Sequence, residues 1–183
     1  MKPEEIILSK NQLVDTLQWK AVLGFTLLTL VLPFIFHLLP AINGTPAGAM
    51  FLPIFYAPFV ALLFYRIHVG LIAGISAPII NHLITGNPAW EIVRVLSIEL
   101  CIFVIIAAIL LKLTPKNFFA APLAYVITKL VSMFILPILN LVPGDISGTM
   151  FFTNSVSNGF VGIILLGVVN FFALKMKNRF QAS

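Results

Sequence analysis

The sequence predicts an all-α integral membrane protein, a six-transmembrane-helix bundle with both termini cytoplasmic. Three observations predict this fold class: 60% of the 183 residues are hydrophobic, only 9% are charged, and the mean hydropathy is +1.08. Soluble domains carry about 25% charged residues. Because a span needs about 20 apolar residues to cross a hydrocarbon core of roughly 30 Å, the chain has room for about six spans. We therefore expect a single transmembrane domain over residues 1–183.

The apolar segments follow one another with short polar links. Residues 1–19 are expected to form a cytoplasmic N-terminal segment, either an interfacial amphipathic helix or a disordered tail. Gly and Pro in the links favour helix ends there, as at Gly86-Asn87-Pro88. The predicted spans are, in order, about 20–39, 49–65, 69–84, 90–111, 118–139 and 150–174.

Lysine and arginine predict the orientation, since they are enriched in cytoplasmic loops. Six spans leave Arg94 and Lys129 inside the membrane and place the other nine of the 11 basic residues on one side. The loops on the other side contain none. The nine are Lys2, Lys10, Lys20, Arg66, Lys112, Lys116, Lys175, Lys177 and Arg179.

The net charge of +5 lies at segment ends, so it indicates topology and not binding to nucleic acid. The sequence has no HExxH, GxSxG or P-loop motif, so we expect no enzyme activity and no ATP hydrolysis by the chain alone. The three histidines lie on different segments without ligand spacing, and we expect no metal or other cofactor.

Ionisable residues inside spans usually face the bundle interior or a ligand path, because an unpaired charge there is costly. Glu91 and Arg94 are helical neighbours near the outer interface, and Glu99 lies about 12 Å deeper. Lys129 is near the middle of the fifth span, with Tyr125 on the same face. Its depth allows a pair with Glu99 if the two helices are adjacent. Such a pair either lines a ligand pocket or only holds the bundle together.

Neutral polar pairs on the third and sixth spans extend this pattern. Asn81 and Thr85 are four residues apart, as are Asn154 and Asn158, so each pair shares one helix face near the outer end. Helix packing is the alternative explanation of each pair. The candidate substrate-binding residues are Glu99, Lys129, Arg94, Glu91, Asn81, Tyr125, Asn154 and Asn158.

Residues 44–101 carry a resemblance to a known family. The matching stretches are Gly48-Ala49-Met50-Phe51-Leu52-Pro53, Gly70-Leu71-Ile72-Ala73-Gly74-Ile75-Ser76-Ala77-Pro78, Thr85-Gly86-Asn87-Pro88 and Ser97-Ile98-Glu99-Leu100. Their order and spacing resemble the substrate-binding S components of energy-coupling factor (ECF) vitamin transporters. Glu99 matches the glutamate in the fourth span of that family.

The resemblance implies a bundle in a prokaryotic plasma membrane that binds a vitamin or related micronutrient from outside. It also implies two kinds of partner, a transmembrane coupling subunit and two cytoplasmic ATPases. The alternative is a non-transporting six-span scaffold of the bacterial cell-wall elongation machinery, which needs no pocket.

Overall fold

The computed structural model describes residues 3–182 apart from Asn43 and Asp145, with side chains described from Trp19 to Arg179 except His37. Within those residues there are eight α-helices and no strand. A short 3-10 turn, Pro53–Phe55, precedes the third helix. The helices are α1 (Pro3–His37), α2 (Ala47–Phe51), α3 (Tyr56–Phe64), α4 (Ile67–Thr85), α5 (Trp90–Leu113), α6 (Ala120–Ile138), α7 (Gly148–Asn158) and α8 (Phe160–Ala182).

Five of these helices contain a stretch that is long and apolar enough to cross a bilayer. The chain is therefore an all-α multi-pass membrane protein, as the sequence predicts. The five stretches are Trp19–Phe36, Ile67–Thr85, Trp90–Leu113, Ala120–Ile138 and Phe160–Arg179.

Helix α1 joins the predicted N-terminal segment to the first span without a break. Its 35 residues extend about 52 Å at 1.5 Å per residue, about 20 Å more than the hydrocarbon core. The backbone from Pro3 to Trp19 belongs to this helix. The side chains that would make this part amphipathic lie outside the described residues.

The predicted second span, 49–65, is divided into α2 and α3. Leu52 has a left-handed backbone, with φ 56° and ψ 38°, and ends α2. The next residue, Pro53, explains the break, because proline disfavours a helical conformation in the residue before it and has no N–H to continue the helix. The divided segment lies inside the protein, where Phe55 and Phe59 are at most 2% exposed. Non-helical backbone at membrane depth is tolerated in such buried positions.

The predicted sixth span, 150–174, is divided as well. Helix α7 ends at Asn158, and α8 begins after Gly159 and continues to Ala182. A Cβ on Gly159 would lie 2.8 Å from the Ser155 carbonyl oxygen and 3.0 Å from Tyr125 Oη, so only glycine fits this junction. Helix α7 has no buried residue. The stretch of this segment that is long and apolar enough to cross a bilayer therefore lies in α8 alone.

Helix α3 occupies the centre of the bundle, in contact with α1, α4, α5 and α8. The ring of Phe55, just before α3, packs edge-on against Phe103 at 5.0 Å and against Tyr125 at 5.1 Å. Helix α4 packs closely on α3 and α5 through glycines. A Cβ on Gly70 would lie 2.8 Å from the Pro58 carbonyl oxygen. The small residues of α4 therefore serve packing within this bundle.

The two ends of the bundle differ in charge. The ring of Phe25 in α1 contacts Tyr65, which precedes α4, at 5.6 Å between centroids. Asn170 of α8 donates to the carbonyl oxygen of Asn117, which precedes α6, at 2.9 Å. This end, called the basic end, carries the lysines and arginines of the links. The other, called the loop end, is formed by residues 38–42, 44–46, 86–89, 139–144 and 146–147.

Candidate functional site

A cavity of about 620 Å³ lies between α1, α2, α4 and α5 at the loop end. Most of the side chains that line it are aliphatic or aromatic, together with prolines. None of its 17 lining residues is Asp, Glu, Lys, Arg or His. The polar residues of the lining are Thr29, Asn81, Thr85 and Asn87.

Prolines help to form this cavity. Pro33 lies inside α1 and Pro78 lies inside α4, and both line it, as does Pro53 after α2. A proline within a helix removes one backbone hydrogen bond and tends to kink the helix. The two helices that face each other across the cavity therefore each present a proline to it.

The polar lining is held by local hydrogen bonds. Thr29 is fully buried, and its hydroxyl donates to the Phe25 carbonyl oxygen at 2.6 Å. Thr85 Oγ1 lies 2.8 Å from the Asn81 carbonyl oxygen and accepts from the Asn87 N–H at 3.1 Å. Asn81 itself is half-buried. Residues Thr85 and Asn87 are exposed, and we call this part of the lining the mouth of the cavity. The hydrogen bonds of Thr85 hold the turn that forms it.

A histidine lies behind that mouth. His82 Nδ1 lies 2.7 Å from the Pro88 carbonyl oxygen, and its ring packs on Trp90 with 4.4 Å between centroids. Because a carbonyl oxygen only accepts, Nδ1 is the donor. The contact ties the end of α4 to the start of α5.

The buried ion pair predicted from the sequence lies elsewhere, between α5 and α6. Lys129 Nζ is 2.7 Å from Glu99 Oε1 and 2.6 Å from Oε2, and the two residues are 6% and 1% exposed. No other salt bridge is found among the side chains that the structure describes. The two charges therefore compensate each other within the bundle.

Helix α7 covers this pair. Lys129 Nζ lies 5.0 Å from the centre of the Phe151 ring and 5.5 Å from that of Tyr125, both within cation–π range. Tyr125 Oη donates to the Ser155 carbonyl oxygen at 3.2 Å. The hydroxyl of Ser132, three residues after Lys129 on α6, is buried and has no hydrogen-bond partner in the described part of the chain. This cluster is closed by aromatic rings.

The eight sequence-predicted site residues are not gathered into one site. Glu99, Lys129 and Tyr125 form the closed cluster under α7, and Asn81 lines the cavity, to which none of these three contributes. The other four are exposed: Glu91, Arg94, Asn154 and Asn158. Their role in ligand binding stays a prediction.

Many residues of these two regions were not among the predicted site residues, and three of them matter most for the geometry. Thr29 and Asn87 line the cavity, and Phe151 covers Lys129. Thr29 is one of two threonines in an otherwise apolar run, which in sequence is typical of helix packing. Within the described side chains, no three His, Cys, Asp or Glu residues lie close enough to hold a metal ion.

Comparison of the chain with protein-family models, with curated proteins and with solved structures finds no match.

Proposed function

We propose that the chain is the substrate-binding S subunit of an ECF-type importer in a prokaryotic plasma membrane, where it captures a vitamin or related micronutrient from outside. The observation that carries the proposal is the cavity of about 620 Å³ at the loop end. Small-molecule sites typically have volumes of about 300–1,000 Å³, mostly apolar walls and a few polar groups. The lining of this cavity has that composition.

The proposal includes six crossings with both termini in the cytoplasm. The five long apolar helices supply five, and α2, the 3-10 turn and α3 together supply the sixth. Under this topology the basic end faces the cytoplasm, in agreement with the positive-inside rule. The cavity then lies in the outer half of the membrane, where a ligand arrives from outside.

Energy for uptake comes from partners in this proposal. The sequence contains no P-loop, so ATP hydrolysis is assigned to two cytoplasmic ATPases and its transmission to a membrane coupling subunit. A cell-wall scaffold, the alternative from the sequence, needs no cavity. The cavity therefore favours the binding subunit.

Topology is tested by single cysteines in a Cys101→Ala background, since Cys101 is the one cysteine of the chain. A membrane-impermeant maleimide added to whole cells should label Thr45→Cys and Ser147→Cys. It should label Lys116→Cys only after the cells are opened. Labelling of Thr45→Cys from the cytoplasmic side alone would contradict the six-crossing topology.

Binding is tested by thermal unfolding of the purified protein with a panel of vitamins, because a ligand that binds only the folded state raises the apparent stability. Ala49 lines the cavity, whereas the exposed Ala89 lies at the same end outside it. Ala49→Leu should abolish the ligand-induced stabilisation, and Ala89→Leu, the matched control, should keep it. A folded wild-type protein that responds to no vitamin at millimolar concentration would favour the scaffold.

Transport is tested in proteoliposomes that contain the protein alone and an imposed ion gradient. We expect bound ligand without accumulation, because concentrative uptake requires the ATP-driven partners. Accumulation of ligand by this protein alone would overturn the proposed division of labour.

A further inference from the structure

We infer that the cavity selects an uncharged ligand, a largely apolar molecule with an amide-like hydrogen-bonding edge. The inference rests on the proposed function, since it names the chemical class that this cavity would take. It excludes ligands that enter as carboxylates or phosphates.

The absence of charge from the lining is the first support. Its 17 residues offer a ligand only aliphatic and aromatic groups, hydroxyls, amides and backbone atoms. A charge moved from water into such a site loses its hydration and finds no counter-ion. A neutral molecule incurs no such cost, and its apolar body gains from leaving water.

None of the ionisable residues of the spans lines the cavity, and the ring nitrogen Nδ1 of the nearby His82 is bonded to the Pro88 carbonyl oxygen. Glu99 and Lys129 are bonded to each other under α7 and do not line the cavity. Glu91 and Arg94 are exposed and do not line it either. At the mouth, α4 ends where α5 begins shortly after, so the negative end of one helix dipole and the positive end of the next offset each other.

The polar groups of the lining indicate the kind of edge that the ligand presents. The Asn81 side chain has one acceptor oxygen and two N–H donors, which match the C=O and N–H of an amide, lactam or imide. The Thr29 hydroxyl donates to the Phe25 carbonyl oxygen and is fully buried, so it supports the wall and is not offered to a ligand. The half-buried Asn81 amide complements a neutral edge that carries an N–H donor and a carbonyl acceptor.

The test uses pairs of molecules that share one skeleton and differ in charge. Suitable pairs are nicotinamide and nicotinate, lipoamide and lipoate, biotin amide and biotin, and riboflavin and riboflavin 5′-phosphate. The thermal shift of the purified full-length protein is titrated with both members of each pair at neutral pH. We expect that in every pair that binds, the neutral member binds at least tenfold more tightly.

The outcomes separate this inference from the proposed function. A charged member that binds as tightly as its neutral partner, or more tightly, overturns the inference and leaves the binding subunit in place. Binding by neither member of any pair or of the vitamin panel overturns both. If a neutral ligand still raises the unfolding temperature of the Ala49→Leu protein, the ligand binds outside this cavity and the inference is overturned.

A charge-introducing variant gives a second measurement. Asn81→Lys should lower the affinity for the neutral member of a pair at least tenfold. It should also reduce or reverse the difference in affinity between the neutral and the anionic member. Asn178→Lys adds the same charge at an exposed position near the end of α8, is neither in the cavity lining nor among the candidate binding residues, and should change neither affinity. If Asn81→Lys does not fold, Asn81→Leu replaces it, and unchanged neutral-ligand affinity in that variant overturns the assigned edge. Mass spectrometry of the purified protein gives one more outcome. A phospholipid that is bound to the wild-type protein but not to Ala49→Leu would show that the cavity holds a charged lipid and would overturn the inference.

Discussion

The α1–α4 side and the α5–α6 side of the bundle both place polar groups among apolar helices, but they do so in opposite ways. On the α5–α6 side two full charges, Glu99 and Lys129, lie 2.6 Å apart and are covered by aromatic rings. On the α1–α4 side neutral amides and hydroxyls line open space. The difference teaches that the strongest polar signal in a membrane sequence does not have to mark the cavity. A charge at depth requires a partner and becomes enclosed, whereas neutral groups can remain available to a ligand.

The largest expected effect comes from removing one member of the ion pair. Lys129→Ala leaves the Glu99 carboxylate buried without a partner, and we expect a loss of about 3–5 kcal/mol in stability. Thermal unfolding in detergent and the yield of monodisperse protein measure it. Arg94→Ala, an exposed site without a salt bridge in the described structure, should stay within about 0.5 kcal/mol of wild type. A fully stable Lys129→Ala protein would contradict the structural importance of the pair.

Removing both charges sharpens the comparison between the two sides. Lys129→Met combined with Glu99→Gln should recover most of the stability, because no unpaired charge remains. Ligand affinity should equal that of wild type, since neither residue lines the cavity. A double mutant that is stable but does not bind the ligand would show that the ion pair takes part in ligand binding. The two sides of the bundle would then not differ in function.

The next effect concerns the position of α7 on α6. A Cβ on Gly148 would lie 2.2 Å from the Met133 carbonyl oxygen, so Gly148→Ala requires the backbone to shift. We expect a cost of about 1–3 kcal/mol, typical of overpacking. Gly24→Ala in α1 is the control, because its Cβ would meet nothing within 4 Å. It should be neutral, or more stable by up to about 1 kcal/mol through helix propensity. Equal stability of both variants would mean that α7 is not closely seated.

A smaller effect, on binding alone, is expected at Asn81. Asn81→Leu keeps the approximate size of the side chain and removes its hydrogen bonds to the ligand, so affinity should fall about tenfold, equivalent to about 1.4 kcal/mol. Asn178→Leu, at an exposed position near the end of α8, should leave affinity unchanged. Titrations followed by thermal shift measure both. An equal loss in the two variants would remove the distinction between the cavity and the exposed surface.

The smallest effect is expected at Ser132, beside the ion pair. Its hydroxyl is buried without a partner, so Ser132→Ala removes a polar group that gains nothing from the fold. Stability should be unchanged or higher by less than about 1 kcal/mol. The matched change Thr128→Val removes a hydroxyl that does donate, to the Ala124 carbonyl oxygen at 2.7 Å. A larger loss at Ser132 than at Thr128 would indicate a buried water at the ion pair.

The uninterrupted spans could be predicted from the sequence almost to the residue. Predicted spans 69–84, 90–111 and 118–139 became Ile67–Thr85, Trp90–Leu113 and Ala120–Ile138. The second and sixth predicted spans are divided, because hydropathy does not register a left-handed residue or a tight glycine junction. Pro53 and Gly159 were the available signals, and both are common enough in membrane helices to be read as interior positions.

The two polar regions differed in how far they could be predicted. The Glu99–Lys129 contact followed from the high cost of an unpaired charge at depth and from matching positions on two helices. The cavity could not be predicted from the sequence, because its location depends on how α1 and α4 pack around their prolines. Sequence spacing alone places Asn81 and Asn158 on equivalent faces near the outer end. Only the packing of the helices puts the first into a cavity and the second on the surface.

The division between α2 and α3 has a consequence for biogenesis. Helix α3 has nine residues and spans only about 14 Å, too little to be stable by itself in a bilayer, and the broken backbone at Leu52 cannot face lipid. Both α2 and α3 contact α8, the most C-terminal helix. The segment after α1 therefore reaches its final environment only once α8 has been synthesised and inserted. In chains truncated before Phe160, the α2–α3 segment should therefore be exposed and should be cleaved by membrane proteases.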